Sequence, residues 1–308
     1  MNPVSLADQR AVITGAGRGL GRAYALDLAR RGASVVVNDF DRGNADAVVS
    51  EIVAAGGRAV ASYEAVSSKR AGQAIVDLAL SAFGGLEVVI NNAGILRPGY
   101  FENLSEREIN EVLDIHLDGT IYVTQAAWPH LQAQNYGRVV LTSSSTGMFG
   151  NHGQANYAAA KGGVWGLGRA LAYEGQAHNI QVNVLLPYAA TVIHKDDPIP
   201  DIVEEYAKFV TPDLRKRLDA VNHDPAMTAH LVTYLASREC TTTAEAFSVC
   251  YGRYARVFLS VADGWLSHAG DAVTAETIRD HWDQIRDIGP HSTPQWLFEE
   301  VADVARRL

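Results

Sequence analysis

Short, uninterrupted apolar runs alternate with helix-length amphipathic segments through the first two-thirds of the chain, and few folds accept that pattern. Arg10–Thr14 (RAVIT), Ser34–Asn38 (SVVVN), Arg58–Ser62, Leu86–Ile90, Gly137–Thr142 (GRVVLT) and Ile180–Leu186 read as buried strands. Gly21–Arg31, Ala45–Ala55, Ala71–Phe83 and Tyr157–Glu174 read as helices, and Ser105–Gln134 as one long helix or two shorter ones. Strands that are apolar on both faces and separated by helices require a parallel sheet covered on both sides.

Right-handed crossovers turn such a sheet into a doubly wound α/β fold of the Rossmann type, with ligands expected at the carboxyl ends of the strands. The pattern breaks between Thr191 and Ala226, where DDPIPD at Asp196–Asp201 reads as a loop. Helix returns at Ala226–Ser237, and Ala246–Cys250 reads as a last strand. The tail beyond carries one clear helix, Thr274–Ile288, and no linker composition precedes it. The expected organisation is a single domain, residues 1–250, with a substrate loop at 194–221 and a C-terminal extension, 251–308, packed on it.

Composition narrows the function classes. With 308 residues, 47% hydrophobic and 20% charged, the chain is neither disordered nor a disulfide scaffold. A net charge of −9 argues against nucleic-acid binding. Cys240 and Cys250 match no zinc spacing, and the histidines form no His-x-x-x-His pair, so no metal site is expected. The opening segment reads as neither a signal peptide nor a membrane span, so a cytoplasmic protein with reduced thiols is expected.

Thr14–Gly21 (TGAGRGLG) follows the first strand and opens the first helix. Glycines there let the backbone approach a pyrophosphate seated on the helix N-terminus. Gly15, Arg18, Gly19, Leu20 and Gly21 are therefore candidate cofactor contacts. Asp39 follows strand two, where a carboxylate accepts hydrogen bonds from ribose hydroxyls and repels a 2′-phosphate, which favours NAD over NADP. Arg18 is the opposing signal.

Tyr157 and Lys161 stand four apart on one helix face, and Ser144 follows strand five. A free tyrosine has a pKa of about 10. A nearby ammonium is expected to lower that value, so that Tyr157 takes the proton of an alcohol as its carbon loses hydride. Ser144 would hydrogen-bond the substrate oxygen. Ser143 and Ser145 flank it, so the choice of serine rests on alternation and spacing.

With these motifs and the run Asn91–Gly94 (NNAG), residues 8–250 resemble the short-chain dehydrogenase/reductases. The resemblance implies that Asn92, Ala93 and Gly94 border the adenosine half of NAD and that Ala65 and Val66 flank the adenine. It also implies that Pro187, Ala190, Thr191 and Val192 hold the nicotinamide carboxamide. A narrower similarity, to the (3R)-hydroxyacyl-CoA dehydrogenase branch, runs through GRAYALDLARRGASVVVND, NNAGILR and GNHGQANYAAAK. It reaches the tail segments LASREC, FSVCYGRYARVFL and VTAETIRDHWDQIRDI. That branch implies NAD-linked interconversion of a 3-hydroxyacyl-CoA and a 3-oxoacyl-CoA.

The chain departs from the family at three points. His116 stands where an asparagine is usual, and in the family the backbone carbonyl of that residue holds a relay water. Glu64 replaces the aspartate after strand three, and Tyr188 follows Pro187 where glycine is usual. His116 is kept as a fourth candidate catalytic residue. Arg306-Arg307-Leu308 is not a Ser-Lys-Leu peroxisomal address, so a stand-alone cytoplasmic enzyme is expected. A homodimer or homotetramer is implied, through helices at 105–134 and 157–174 with Gly162, Gly163, Gly166 and Gly168 permitting close approach. The alternatives are a dehydrogenase of a free hydroxysteroid or other secondary alcohol, and a non-catalytic cofactor sensor.

Overall fold

The computed structural model describes residues 3–188, 211–219, 224–268 and 270–294, together with positions 299, 303, 304 and 306. The chain divides into two compact units, Met1–Arg256 and Val257–Leu308. The first unit is built on a parallel sheet. Its strands are β1 (Arg10–Thr14), β2 (Ser34–Asn38), β3 (Arg58–Ser62), β4 (Val88–Asn91), β5 (Gly137–Thr142), β6 (Ile180–Tyr188) and β7 (Ala246–Cys250). Their spatial order is β3-β2-β1-β4-β5-β6-β7, and an eighth strand, β8 (Arg253–Val257), closes the edge beyond β7. The strand order reverses between β1 and β4, which opens a crevice above their carboxyl ends.

Alternation along each strand divides the core. Ala11 and Ile13 of β1 and Val35 and Val37 of β2 face one side with Leu185 of β6. There they pack under α1 (Gly19–Arg30), α2 (Arg42–Ala54) and a later helix, Pro225–Ala236. The opposite face carries α3 (Lys69–Phe83), α4 (Glu106–Leu113), α5 (Gly119–Ala133), the short α6 (Ser145–Phe149) and α7 (Ala155–Gly175). Among the described residues, the other α-helices of this unit are α8 (Pro212–Asp219) and α9, the Pro225–Ala236 helix already placed. Local chemistry sets the starts: Ser68 caps α3 by accepting from the Ala71 amide, and Ser105 and Glu108 form a capping box on α4.

The 105–134 segment takes the two-helix alternative: α4 and α5 joined by a π-helical turn, Asp114–Asp118, with His116 buried inside it. Two expectations need correction. β8 pairs beyond β7 where the tail was expected to begin; a two-residue turn, Tyr251-Gly252, joins the two strands and makes this last pair antiparallel. In the second unit, the expected helix Thr274–Ile288 is two helices, α10 (Ala275–Asp280) and α11 (Trp282–Arg286). They break at His281, whose ring stacks on Trp265 at 4.1 Å and whose Nδ1 lies 2.8 Å from the Thr277 carbonyl. Gly168 packs closely on its own sheet, where a Cβ would lie 2.6 Å from Val184. A short antiparallel pair, β9 (Val261–Ala262) with β10 (His291–Ser292), completes the second unit. Of the expected substrate loop 194–221, the described residues 211–219 contain α8; the rest lies outside the described residues.

Candidate functional site

The glycine loop and the end of β4 form one hydrogen-bonded unit. Thr14 Oγ1 accepts from the amides of Asn92 and Ala93 at 3.0 and 3.1 Å. Asn92 Nδ2 donates back to the carbonyls of Thr14 and Gly15, both at 3.1 Å. Gly15 has φ +61°, and a Cβ on it would lie 2.7 Å from the Ala93 Cα. A Cβ on Gly21 would overlap the carbonyl oxygen of Gly15. Backbone therefore forms the loop surface at the start of α1, as close approach of a pyrophosphate requires. Arg18 stands exposed at the N-cap of α1, and Gly19 and Leu20 open the helix.

Asp39 follows β2 and is buried against the loop. Its Oδ2 accepts from the Gly17 amide at 2.9 Å and its Oδ1 from the Asp41 amide at 3.0 Å. Ala65 is exposed past the end of β3, and Val66 is buried against Gly119. Asn38 Nδ2 donates to the Glu64 carbonyl at 2.9 Å, which fixes the turn leading to them. The fold thus brings the loop, Asp39, Ala65, Val66 and Asn92–Gly94 to the carboxyl ends of β1, β2, β3 and β4. These residues fit an adenine dinucleotide.

The second cluster lies at the end of β5. Ser143 is turned inward and donates its hydroxyl to the Lys161 carbonyl at 2.7 Å. Ser144 caps α6, its Oγ accepting from the Thr146 amide at 3.1 Å, and its hydroxyl acts to lower the Tyr157 pKa, whereas Ser143 is committed to Lys161. Lys161 is buried, donates from Nζ to the Thr142 carbonyl, and sits 5.8 Å from the centre of the Tyr157 ring. Burial lowers its pKa to about 7. Burial also pushes the Tyr157 phenol above its ordinary value, opposed by the Ser144 hydrogen bond. The expected lowering of the Tyr157 pKa by the ammonium is therefore not what this site does. Lys161 is engaged with a backbone carbonyl, and burial dominates the shift at Tyr157.

His116 joins the two clusters. Its imidazole lies edge-on to Tyr157, with ring centres 5.1 Å apart, and covers Gly94 so closely that no Cβ would fit. Nε2 lies 3.0 Å from the Ile95 amide and 2.7 Å from the Ile95 carbonyl, while Nδ1 has no hydrogen-bond partner. Burial, then the charge of Lys161, hold its pKa well below the ordinary value, so the ring is neutral. Its backbone carbonyl accepts the Thr120 hydroxyl at 2.7 Å. Pro187 lies near the end of β6, beside this cluster, whereas Ala190, Thr191 and Val192 lie outside the described residues.

Sequence reasoning placed Thr14 in the glycine motif without a role of its own and missed Thr142 as part of the site. Both are polar residues ending apolar strands at the ligand crevice, and that placement was the available signal. Together the groups can hold a dinucleotide at one end and pass a proton to or from an oxygen at the other. Among the described residues, no helix is long and apolar enough to cross a membrane.

Known proteins are similar to this chain. A family model described as short chain dehydrogenase matches residues 9–196. The chain is 40% identical over 290 residues to a short-chain type dehydrogenase/reductase of Mycobacterium tuberculosis, covering 91% of this chain and 95% of that protein. It is 37% identical to the peroxisomal multifunctional enzyme type 2 of Mus musculus over 100% of this chain, but spans only 40% of that enzyme. The full-length Drosophila melanogaster enzyme of that name superposes with a TM-score of 0.78 at 33% identity, covering 99% of this chain and 50% of that one. A 7α-hydroxysteroid dehydrogenase complexed with NADH and 7-oxo glycochenodeoxycholic acid superposes with a TM-score of 0.70 at 25% identity, covering 80% of this chain and 94% of that one. The chain belongs to the short-chain dehydrogenase/reductase family and is an oxidoreductase acting on CH–OH groups.

Proposed function

We propose that the chain is an NAD-dependent dehydrogenase interconverting a 3-hydroxyacyl-CoA and a 3-oxoacyl-CoA. One observation carries the chemistry: Tyr157 and the buried Lys161, its Nζ 5.8 Å from the ring centre, stand together on α7, and Ser144 lies at the carboxyl end of β5. NAD supplies a hydride acceptor, and NADH a donor, at the carbinol carbon. Gly15, Arg18, Gly19, Leu20 and Gly21 would hold its pyrophosphate and Asp39 its adenosine ribose. Ala65, Val66 and Asn92–Gly94 would line the adenosine half, with Pro187, Ala190, Thr191 and Val192 at the nicotinamide. The carboxylate of Asp39, set against the Gly17 amide, disfavours a 2′-phosphate, which supports NAD.

In the reducing direction the neutral phenol of Tyr157 donates its proton to the substrate oxygen, while the Ser144 hydroxyl donates a hydrogen bond to that oxygen. In the oxidising direction Tyr157, as the phenolate, receives the alcohol proton and becomes the neutral phenol, while Ser144 keeps its hydrogen bond to the substrate oxygen. Lys161 fixes the end of β5 through Thr142, one helical turn from Tyr157 on α7. His116, neutral and clamped to Ile95, orients the Tyr157 ring.

The acyl-CoA assignment is supported by the (3R)-hydroxyacyl-CoA dehydrogenase motifs, which continue into the tail. The matches to multifunctional enzymes likewise extend through this chain's whole length. A second reading, a free hydroxysteroid, is favoured by the likeness to the 7α-hydroxysteroid dehydrogenase. The non-catalytic alternative is not retained. A reducing, cytoplasmic setting fits the free thiols Cys240 and Cys250. Pairing of copies through α5 and α7 fits Gly166, which has open space beside it.

The test offers NADH and NADPH with acetoacetyl-CoA, a longer 3-oxoacyl-CoA and a 17-oxosteroid. Oxidation of NADH by a thioester is expected. Turnover of the steroid alone moves the assignment to the second reading. Asp39→Asn, which keeps an acceptor for the Gly17 amide, should shift the NADPH-to-NADH preference by roughly tenfold or more, one removed charge repulsion of about 1.4 kcal/mol. An unchanged preference would assign the discrimination to Arg18.

A further inference from the structure

Two tyrosines outside the Ser144–Tyr157–Lys161 cluster meet above the end of β6. The rings of Tyr188, the last residue of β6, and Tyr251, in the β7–β8 turn, lie 5.0 Å apart at 33°. Tyr188 is 54% exposed, unusual for a large aromatic ring at the end of a buried strand.

Alternation fixes which side Tyr188 faces. Val184 of β6 packs beneath Gly168 of α7, so Val184, Leu186 and Tyr188 share the α7 face. That helix carries Tyr157 and Lys161. The Ser143 amide donates to the Leu185 carbonyl at 2.8 Å, so β6 at Leu185 is level with the segment presenting Ser144. Three further residues carry Tyr188 about 10 Å along the strand. It therefore stands over the mouth of the catalytic cluster.

Tyr251 is the less expected partner. It has φ +50°, followed by Gly252 at +80°. A two-residue turn of this kind selects Asn-Gly or Asp-Gly, because side chains of ordinary size are disfavoured at positive φ. A tyrosine there has a strained backbone, and its ring packs on Tyr188. The turn is also anchored from below: the Tyr254 hydroxyl donates to the Met227 carbonyl of α9 at 2.8 Å. The aromatic surface is thus held in place before any substrate arrives.

We propose that Tyr188 and Tyr251 form a specificity-determining platform on which the apolar chain of the substrate, beyond the oxidised carbon, packs. This rests on the dehydrogenase reading above. A hydrocarbon chain laid on the exposed ring faces removes apolar surface from water on both sides of the contact. Chain length therefore acts on binding more than on the hydride step.

The test compares kcat/KM for acetoacetyl-CoA and 3-oxodecanoyl-CoA in the full-length protein. Tyr188→Ala and Tyr251→Asn should each lower the long-to-short ratio roughly tenfold, as losing a methylene-sized contact does. The change should appear in KM, and Tyr188→Phe should restore the ratio. Tyr251→Asn keeps a residue suited to the turn, so it guards against a folding defect in Tyr188→Ala. An unchanged ratio, or equal loss on both substrates, overturns the platform. If the wild type reduces only a 17-oxosteroid, the acyl-CoA reading fails, and the same variants compared on that steroid and on cyclohexanone decide the platform. Silence of the wild type on every substrate removes the acyl-CoA and steroid readings and overturns the platform with them.

Discussion

Lys161 bears an electrostatic cost of burial at the site. It lies inside the protein with the Thr142 carbonyl as hydrogen-bond partner, and its pKa falls from 10.5 to about 7. The unfolded chain then binds the proton more tightly across the window between those values, so this residue's contribution makes stability rise with pH from about 7 to about 10. Lys161→Met should lower turnover by about two orders of magnitude. It should also flatten that rise, leaving the protein at least as stable as the wild type near pH 6. Urea midpoints at about pH 6 and about pH 9 check the sign. A variant weaker than wild type by the same amount at both would contradict it. Tyr157 is displaced the opposite way, so its phenol stays protonated well past neutrality. Ketone reduction should hold through neutral pH and fall in alkali, whereas alcohol oxidation should climb into the alkaline range. Tyr157→Phe should abolish both limbs while leaving NADH binding, measured by fluorescence, nearly intact.

Between elements, the junction of α1 and α9 is held by one carboxylate. Asp27 of α1 is buried and accepts from the Thr233 hydroxyl of α9 at 2.5 Å, with Arg30, Arg31 and His230 around it. Burial alone would raise its pKa, but Thr233, Arg31 and His230 outweigh burial and hold it below the usual value. Its stabilisation is complete above the ordinary aspartate range, about 4, and is lost as the pH falls through the depressed value. Asp27→Ala leaves the buried Thr233 hydroxyl unpaired and should cost about 2 kcal/mol in urea unfolding at neutral pH. Because α1 also starts at the glycine loop, the same variant should weaken NADH binding. An Asp27→Ala protein with wild-type stability would show that the junction rests on apolar packing alone.

Across the whole molecule, what the sequence revealed and what it hid divide along physical lines. β1, β2, β3, β5 and β7 were legible to the residue, because each is a short apolar run bounded by polar or glycine residues. The glycine loop and the Ser144, Tyr157 and Lys161 cluster were legible because strand ends and helical spacing fix their placement. The π-turn was not: its cause is His116 reaching Ile95, a tertiary contact that leaves the local helical pattern intact. β8 was hidden because Tyr251-Gly252 lacks the residue that announces such a turn. The partner of Lys161 was hidden because a backbone carbonyl carries no sequence signature.

The stitching of Thr14 to Asn92 joins residues 78 positions apart. A growing polypeptide that has emerged only through β3 already contains the whole glycine loop, yet lacks the strand that holds it in register. Translation must therefore proceed past Gly94 before a dinucleotide can engage the nascent chain and favour its folded form. Chains arrested just before and just after that residue should differ in whether NADH protects them from protease, which would date the birth of the crevice during synthesis.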